Sequence, residues 1–360
     1  MKSPSFPIFF PGLLALLLIA ADPASGEESR QKILDQDLVE LQSDDPKVRY
    51  HAAMRLGAQV DPPGRVINAL VAAMVDTDFR VRVNAAAALG NYGPHAAHSA
   101  GVLVSALNDS DRRVCDSSAT ALGKMGKEVV AALCGALNHE KKDVKIYAIE
   151  ALGNNGPDAV EGVTALTGKF SDEDPVVRLK VIWALAKIGP AATTDLVRAL
   201  QNESAVIRWH AATALGHIGA DAETSVPALL RCIQDEDYRV RQAAVRELAR
   251  FRPLDEAAIH ALVAAIGDAS TAVSFNASLT LGRSGRSAVL PLTRYIKDES
   301  STFRSHAVRA LGRIGPEARD AVKALEVIRQ DMHGGLGVEA AWALKMIATR
   351  EKQDPVAPTK

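Results

Sequence analysis

Acidic and basic side chains recur along this 360-residue chain at a fixed spacing. An Asp precedes an Arg or Lys by six positions, as in Asp76 and Arg82. A carboxylate beside a guanidinium group can serve catalysis, or it can hold two segments together. Because the pair returns along the whole array, we interpret it as periodic scaffolding and exclude it from any site. The residues are Asp76, Asp109, Asp172, Asp235, Asp268, Asp298 and Asp331, with Arg49, Arg82, Lys145, Arg178, Arg208, Arg241 and Arg304.

Other residue types give little support for catalysis. A zinc or iron site needs several His, Cys or carboxylate ligands that converge, and Cys115, Cys134 and Cys232 are scattered. The sequence has no Gly-rich phosphate loop, no nucleophile elbow and no paired-carboxylate spacing. We therefore predict no catalytic residues, no metal and no cofactor.

The composition favours helices that pack through small aliphatic side chains. The chain is 48% hydrophobic and 24% charged but only 4% aromatic, and strands prefer aromatic and β-branched residues. The formal net charge is −1, which argues against a generally basic nucleic-acid binder. Three cysteines cannot form a complete disulfide set.

A recurring Ala-Leu-Gly motif divides the chain into about ten units. We call its Leu the anchor, and the anchors follow one another at intervals of 30 or 33 residues. Periodicity of this kind is typical of a solenoid. The anchors are Leu56, Leu89, Leu122, Leu152, Leu185, Leu215, Leu248, Leu281, Leu311 and Leu344.

Each unit is predicted to form two helices. In the first helix, apolar residues recur three, four and seven apart; in the second, they stand eight, four, three and one before the anchor. An Asp or Ser should cap the start of the second helix, and a Gly should end it. The predicted caps are Asp45, Asp78, Asp111, Asp174, Asp237, Ser204, Ser270 and Ser300, and the glycines are Gly93, Gly126, Gly156, Gly189, Gly219, Gly285 and Gly315.

Units such as Asp174-Pro-Val-Val-Arg178 followed by Ala184-Leu-Ala-Lys-Ile-Gly-Pro190 resemble HEAT repeats of the short type called PBS-lyase HEAT-like repeats. The resemblance covers roughly residues 30 to 350. It implies an all-α, armadillo-like α-solenoid, in which an Asp and Arg ladder joins stacked units.

For function the resemblance leaves alternatives open, because such repeats occur in scaffolds, bilin-lyase subunits and a metal hydroxylase. The hydroxylase uses repeated His-Glu pairs, whereas this chain has one, His139-Glu140. We favour a non-catalytic binding protein, with a bilin-lyase-like subunit or another HEAT-type enzyme component as the alternative.

One stripe of the second helix should face a groove. It comprises the positions nine, five and two before the anchor and two after it, opposite the apolar arc. We call it the basic stripe, because twelve basic residues stand on it against Asp143, Glu150 and Glu339. The basic residues are Lys47, Arg80, Arg113, Lys124, Lys180, Lys187, Arg239, Arg246, Arg250, Arg283, Arg309 and Arg313. We predict that this groove binds a protein or another anionic polymer.

Aromatic residues mark the same face. Trp183 and Trp342 lie on the stripe, and Trp209 lies beside it, near His210 and His217. They could form a contact patch, or the Trp rings could only cover gaps between repeats. The predicted partner-binding residues are Lys180, Trp183, Lys187, Trp209, His210, His217, Arg246, Arg250, Arg283, Arg309, Arg313 and Trp342.

The N-terminus has the layout of a secretory signal peptide. Lys2 precedes a mainly apolar stretch over residues 8–21, and Ala24-Ser25-Gly26 supplies small residues for cleavage after residue 26. An uncleaved anchor is the alternative, although the stretch is shorter than the roughly 20 residues of a spanning helix. We expect a secreted or periplasmic monomer, with no membrane span after cleavage and no nucleic-acid partner. The predicted parts are a signal peptide at 1–26, a repeat array at 27–350 and a flexible polar tail at 351–360.

Overall fold

The chain is an all-α solenoid of about ten two-helix repeats, as the sequence predicts. The computed structural model describes residues 23–60, 62–219, 221–301, 303–330 and 335–349, and within these ranges it contains no strand. Most of the predicted signal peptide, and the whole of the predicted polar tail at 351–360, fall outside the described residues. The chain divides after Ala132 into two compact units, residues 1–132 and 133–360, which we call the first and the second unit.

Helices alternate strictly along the chain, in a first and a second row. The first helices of the repeats are α1 (Pro23–Glu40), α3 (Gly64–Ala73), α5 (Ala100–Ser105), α7 (Val130–Ala136), α9 (Val163–Gly168), α11 (Thr193–Ala199), α13 (Ala222–Cys232), α15 (Glu256–Ala265), α17 (Val289–Lys297) and α19 (Val322–Arg329). The second helices are α2 (Pro46–Leu56), α4 (Phe79–Asn91), α6 (Arg112–Leu122), α8 (Lys142–Asn154), α10 (Pro175–Ile188), α12 (Ala205–Ile218), α14 (Tyr238–Leu248), α16 (Thr271–Arg283), α18 (Arg304–Ile314) and α20 (Gly335–Thr349).

The predicted apolar arc is the core. In α4, the arc residues Val81, Ala85, Ala86, Leu89 and Tyr92 are all buried. Consecutive second helices pack on one another within each unit, through α2, α4 and α6 in the first and through α8 to α20 in the second. Each repeat therefore buries its apolar face against its neighbours, as a solenoid must.

Small residues set how closely the second helices approach. A Cβ placed on Gly57 would lie 2.6 Å from Ala88 Cβ, and one placed on Gly90 would lie 2.6 Å from Ala121 Cα. In the second unit, Gly153 meets Ala184 in the same way. A Gly after the anchor of one repeat thus fits against an Ala before the anchor of the next.

The helix caps follow the sequence prediction where the cap is Asp. The carboxylates of Asp45, Asp78, Asp111, Asp174 and Asp237 each accept a hydrogen bond from the backbone N–H two residues on. All seven predicted C-terminal glycines have positive φ, between 54° and 75°, which an L side chain rarely adopts.

The serine caps are wrong or weaker than predicted. Ser204 and Ser270 stand at the N-cap position, but neither side chain caps its helix. Asn202 Oδ1 and Asp268 Oδ1 instead accept hydrogen bonds from the backbone N–H groups of the two serines. Ser300 is no cap at all, because α18 begins only at Arg304 and Ser300 bonds to Asp298.

The Asp and Arg pairs join neighbouring repeats, and we call them the Asp–Arg ladder. In the first unit, Arg49 makes two hydrogen bonds of 2.7 and 2.8 Å to Asp76, and Arg82 makes the same pair to Asp109. In the second unit the pairs are Lys145 with Asp172, Arg208 with Asp235 and Arg241 with Asp268. These arginines hold the pKa of Asp76, Asp109 and Asp268 below its usual range, although burial opposes this.

The basic residue also closes a loop in its own repeat at Arg49, Arg82, Arg178, Arg208 and Arg241, whereas Arg304 donates to the carbonyl of Ile296 instead. Arg82 Nη1 donates to the carbonyl of Asp76, six residues earlier. Cys115 and Ser274 occupy the same position in their repeats, and each donates to the equivalent carbonyl, of Asp109 and of Asp268. The bond within the repeat is therefore kept where the bond between repeats is lost.

Substituting Gly57 with Ala should destabilise the first unit by about 1–3 kcal/mol, because α2 and α4 must separate to admit the methyl group. Gly101 is the matched control: nothing lies within 4 Å of its added Cβ, so Gly101→Ala should be neutral or stabilise by up to about 1 kcal/mol. Urea unfolding followed by far-UV circular dichroism measures both variants. Equal midpoints for the two would contradict the close contact.

Substituting Asn202 with Asp should strengthen the ladder. Arg178 lacks a carboxylate partner among the described residues, and Asn202 stands where the next repeat would place its ladder Asp. We expect Asn202→Asp to raise the free energy of unfolding by about 1 kcal/mol. In an Arg178→Met background the same substitution should give no gain, and an equal gain there would show that no ion pair forms.

Candidate functional site

The structure places the predicted partner-binding residues on consecutive second helices of the second unit. They occupy α10, α12, α14, α16, α18 and α20, and each of these helices packs on the next. The basic stripe therefore continues from one helix to the next over this unit. Its electrostatics depend on which of the basic groups already have a carboxylate partner.

Three arginines near helix N-termini are neutralised. Arg80, Arg113 and Arg239 each bond to the capping Asp two residues earlier, at 2.6, 2.7 and 2.6 Å from Nη2 to the carboxylate. The predicted excess of positive charge on the stripe is too large for this reason, since the capping Asp residues lie just outside it. An Asp followed two residues later by Arg was the sequence signal for this pairing.

Two further basic residues form an ion pair with a carboxylate on the preceding or following second helix. Lys180 on α10 bonds to Glu150 on α8, and Arg309 on α18 bonds to Glu339 on α20. Lys187 Nζ donates to Asn154 Oδ1 at 2.7 Å, a neutral partner. The stripe's positive charge is consequently concentrated on a smaller group of residues.

A buried carboxylate on α14 holds two arginines. Glu247 is only 1% exposed, and its two oxygens accept hydrogen bonds from Arg246 Nε at 2.7 Å and Arg250 Nε at 2.6 Å. Both arginines are about half exposed. Two guanidinium groups thus share one negative charge, and the Nη groups of Arg250 have no hydrogen-bond partner among the described residues.

The side chain of Glu247 fits between the two helices because the facing residue on α12 is a glycine, which has no side chain. A Cβ on Gly216 of α12 would lie 2.3 Å from Glu247 Oε2 and 2.4 Å from its Cβ. The position before the anchor is Ala in most repeats, as at Ala184 and Ala214, so a Glu there stands out. The sequence prediction missed Glu247 as part of the site, although this exception was visible.

Arg283 and Arg313 have no carboxylate partner among the described residues. Arg313 is half-buried: its aliphatic part packs where a side chain on Gly282 would be, and its Nη1 donates to Ser278 Oγ at 3.1 Å. Burial, and then the positive charge of Arg309, lower the pKa of Arg313. Arg283 is exposed at the end of α16, and Arg252, off the stripe, donates to its backbone carbonyl.

The tryptophans divide between the two interpretations. Trp183 is 55% exposed, and Lys180 Nζ lies 5.9 Å from the centre of its ring, which suits a contact surface. Trp342 packs where a side chain on Gly312 would be, so its ring covers a gap between α18 and α20. It nevertheless keeps 40% of its surface exposed.

The prediction that His210 contacts a partner is wrong. His210 is 6% exposed, its ring stacks on Phe170 at 5.4 Å between centroids, and the ring of Trp209 lies tilted to it at 4.3 Å between centroids. Its Nδ1 bonds to the carbonyl of Val206, and burial lowers the pKa of the ring. His217 is exposed on the stripe, with a pKa lowered by partial burial and by Arg250.

The described residues contain no group of three or more His, Cys, Asp or Glu side chains that could hold a metal ion. Burial raises the pKa of all three thiols, and that of Cys232 to about 11. The nucleophilic thiolate form is therefore disfavoured at each of them. Among the described helices, none is long and apolar enough to cross a membrane.

The sequence matches the HEAT repeats family over residues 36–123, 130–205, 193–273 and 259–345. The chain belongs to the HEAT-repeat family. None of the curated proteins matches it.

Solved structures share the fold at low sequence identity. Kap121p bound to Nup53p is 14% identical, with a TM-score of 0.53 over 93% of this chain and 42% of Kap121p. Kap121p bound to the extreme C-terminus of the phosphatase Cdc14p is 15% identical, with a TM-score of 0.53 over 89% and 41%. Importin beta is 12% identical, with a TM-score of 0.50 over 89% and 53%. This chain thus spans about half or less of these proteins.

The thiol of Cys232 should be almost inert in the folded protein. A variant that keeps only this cysteine, through Cys115→Ser and Cys134→Ser, isolates its reaction with a disulfide reagent. A rise in pKa from 9.0 to about 11 lowers the thiolate fraction roughly 100-fold, and burial slows the reaction further. The same variant in denaturant is the control, and comparable rates in the two states would show an accessible, reactive thiol.

Proposed function

We propose that this HEAT-repeat protein is an exported, non-catalytic scaffold that binds a protein or another anionic partner on the second-helix face of residues 133–360. The observation that carries the proposal is the pair of arginines without carboxylate partners, Arg283 and Arg313, on consecutive helices. Burial is the main cause of the lowered pKa of Arg313, and repulsion by the positive charge of Arg309 adds to it. An anionic ligand would relieve that repulsion.

The neighbouring side chains support the same function. Arg246 and Arg250 add one further net positive charge next to α16, because only Glu247 opposes them. Trp183 supplies an exposed aromatic surface of the kind that is enriched at protein interfaces. In two of the similar structures Kap121p is bound to a protein, Nup53p or Cdc14p, which makes protein binding by this fold a reasonable model for the chain.

Export rests on the N-terminal sequence. The single Lys2, the apolar stretch at 8–21 and the small residues before Glu27 support cleavage by a signal peptidase. We also assign the repeats to the PBS-lyase HEAT-like type, on the Asp-Pro-Val-Val-Arg and Ala-Leu-Ala-Lys-Ile-Gly-Pro sequences. An exported protein would not meet cytosolic phycobiliproteins, and for that reason we prefer a scaffold to a bilin-lyase-like subunit.

The test is charge reversal at Arg283→Glu and Arg313→Glu, compared with wild type in binding to heparin, to polyglutamate and to proteins of the extracytoplasmic fraction. We expect binding at low ionic strength to weaken by about tenfold or more, and added salt to reduce the difference. Unchanged binding to every one of these probes would overturn the proposed function.

A matched control reverses two charges elsewhere on the same unit. Arg294 on α17 and Lys323 on α19 are exposed on first helices, so Arg294→Glu with Lys323→Glu changes the net charge equally without touching the stripe. This variant should bind as wild type does. Stoichiometric metal, or a covalently attached chromophore, in the purified mature protein would favour an enzyme component instead.

A further inference from the structure

Three arginines of the basic stripe occupy the same position in consecutive repeats. Arg250, Arg283 and Arg313 each stand two residues after the anchor, at the C-terminal ends of α14, α16 and α18. These helices pack directly on one another, and packed helices lie about 8–10 Å apart. The Cα atoms of the three arginines therefore recur at roughly that interval along the unit.

Each of the three repeats presents one guanidinium group in excess on this face. Glu247 neutralises one of Arg246 and Arg250, and Glu339 neutralises Arg309. The positive charge of Arg283 is not neutralised, since Arg283 has no carboxylate partner among the described residues. The face thus carries one net positive charge per repeat, which suits a ligand that brings one negative charge to each helix.

Two of the three groups are held in place before any ligand arrives. Glu247 binds Arg250 through Nε only, so the Nη groups remain available to bind an anion with two parallel hydrogen bonds. Arg313 is fixed by its packing on Gly282 and by the bond from Nη1 to Ser278 Oγ. Arranging these donors in advance lowers the entropy lost on binding.

The interval selects one conformation of a polypeptide ligand. A polyproline II helix completes one turn in three residues and about 9 Å, so every third side chain lies on the same side. In a β-strand the side chains on one face recur every second residue, at about 7 Å, which falls short of the helix spacing. Every third residue of a polyproline II segment can therefore meet one arginine.

We propose that α14, α16 and α18 bind an extended acidic segment of a partner protein in the polyproline II conformation, with a carboxylate at every third residue. Successive carboxylates bind Arg250, Arg283 and Arg313. This inference rests on the proposed function. It specifies the chemistry of the partner segment and its register, meaning the spacing of its carboxylates.

The experiment uses labelled peptides of identical composition, each with three Glu residues in a Pro-rich background, spaced at every second, third or fourth residue. Fluorescence anisotropy with the mature protein measures their affinity at low ionic strength. We expect the peptide with Glu at every third residue to bind about tenfold more tightly than the other two.

The outcomes separate this inference from the proposed function. If the three peptides bind equally, or if none binds while polyglutamate binding still depends on Arg283 and Arg313, the register is wrong and the proposed function stands. If the arginine reversal changes no interaction at all, both fail. The Arg294→Glu and Lys323→Glu variant should keep the preference for every third residue.

Glu247→Gln tests whether Glu247 positions Arg246 and Arg250 or only reduces the charge. The substitution adds one positive charge, so a purely electrostatic site would bind all three peptides more tightly. If Glu247 is a positioning residue, the preferred peptide should lose affinity and its advantage over the others should shrink. Circular dichroism checks that the variant folds.

A second variant reaches the same contact without changing the charge. Gly216→Ala places a methyl group against Glu247 and should displace it, with the same loss of preference among the peptides. Gly168→Ala, where nothing lies within 4 Å of the added Cβ, is its control and should bind as wild type does. Retained preference in both Glu247→Gln and Gly216→Ala would remove Glu247 from the site.

Discussion

The close contact between a Gly of one repeat and an Ala of the next is the constraint on which the structure depends. At Gly57 with Ala88, and at Gly153 with Ala184, the helix backbones approach until no additional methyl group fits. This contact fixes the distance from one second helix to the next. On α12, α16 and α18 the same Gly instead receives Glu247, Arg313 or Trp342 of the next second helix, so the position that sets the close approach also holds residues of the site.

A second set of interactions acts at the other end of the second helices. The capping Asp residues satisfy the first N–H groups of each helix, and the ladder Asp residues bind the Arg or Lys of the repeat before. The N-terminal end of the helix is thereby bound to its neighbour through ion pairs, whereas the C-terminal end is bound through packing at Gly. Arginines at the C-terminal end thus take no part in the ladder, and the helix dipole stabilises them there.

The fold could be predicted from the sequence because its determinants are local and repeated ten times. The anchors, the apolar arc and the glycines with positive φ each depend on residue type and spacing alone. At helix α18 the predicted cap is wrong. Ser300 donates a hydrogen bond to Asp298 instead of capping the helix, which begins only at Arg304.

The site was less predictable, since it depends on the conformations and bonding partners of long side chains. Whether Arg239 can bind a partner depends on its ion pair with Asp237, and whether His210 is accessible depends on the neighbouring rings of Phe170 and Trp209. The spacing places His210 on the stripe, and its burial could not be inferred from that spacing. Glu247 illustrates the reverse case, in which one exception to the Ala pattern changes the charge of a surface.

The ladder residue makes one bond inside its own repeat and another to the next, and these two bonds are separable. Cys115 and Ser274 keep the first with a thiol or a hydroxyl, although neither can form the ion pair. A repeat with this bond therefore closes its own loop, whatever its neighbour is. It requires only an Asp at the right place in the following repeat to gain the ion pair. An ion pair between two repeats can therefore be added or removed without opening the loop inside either repeat.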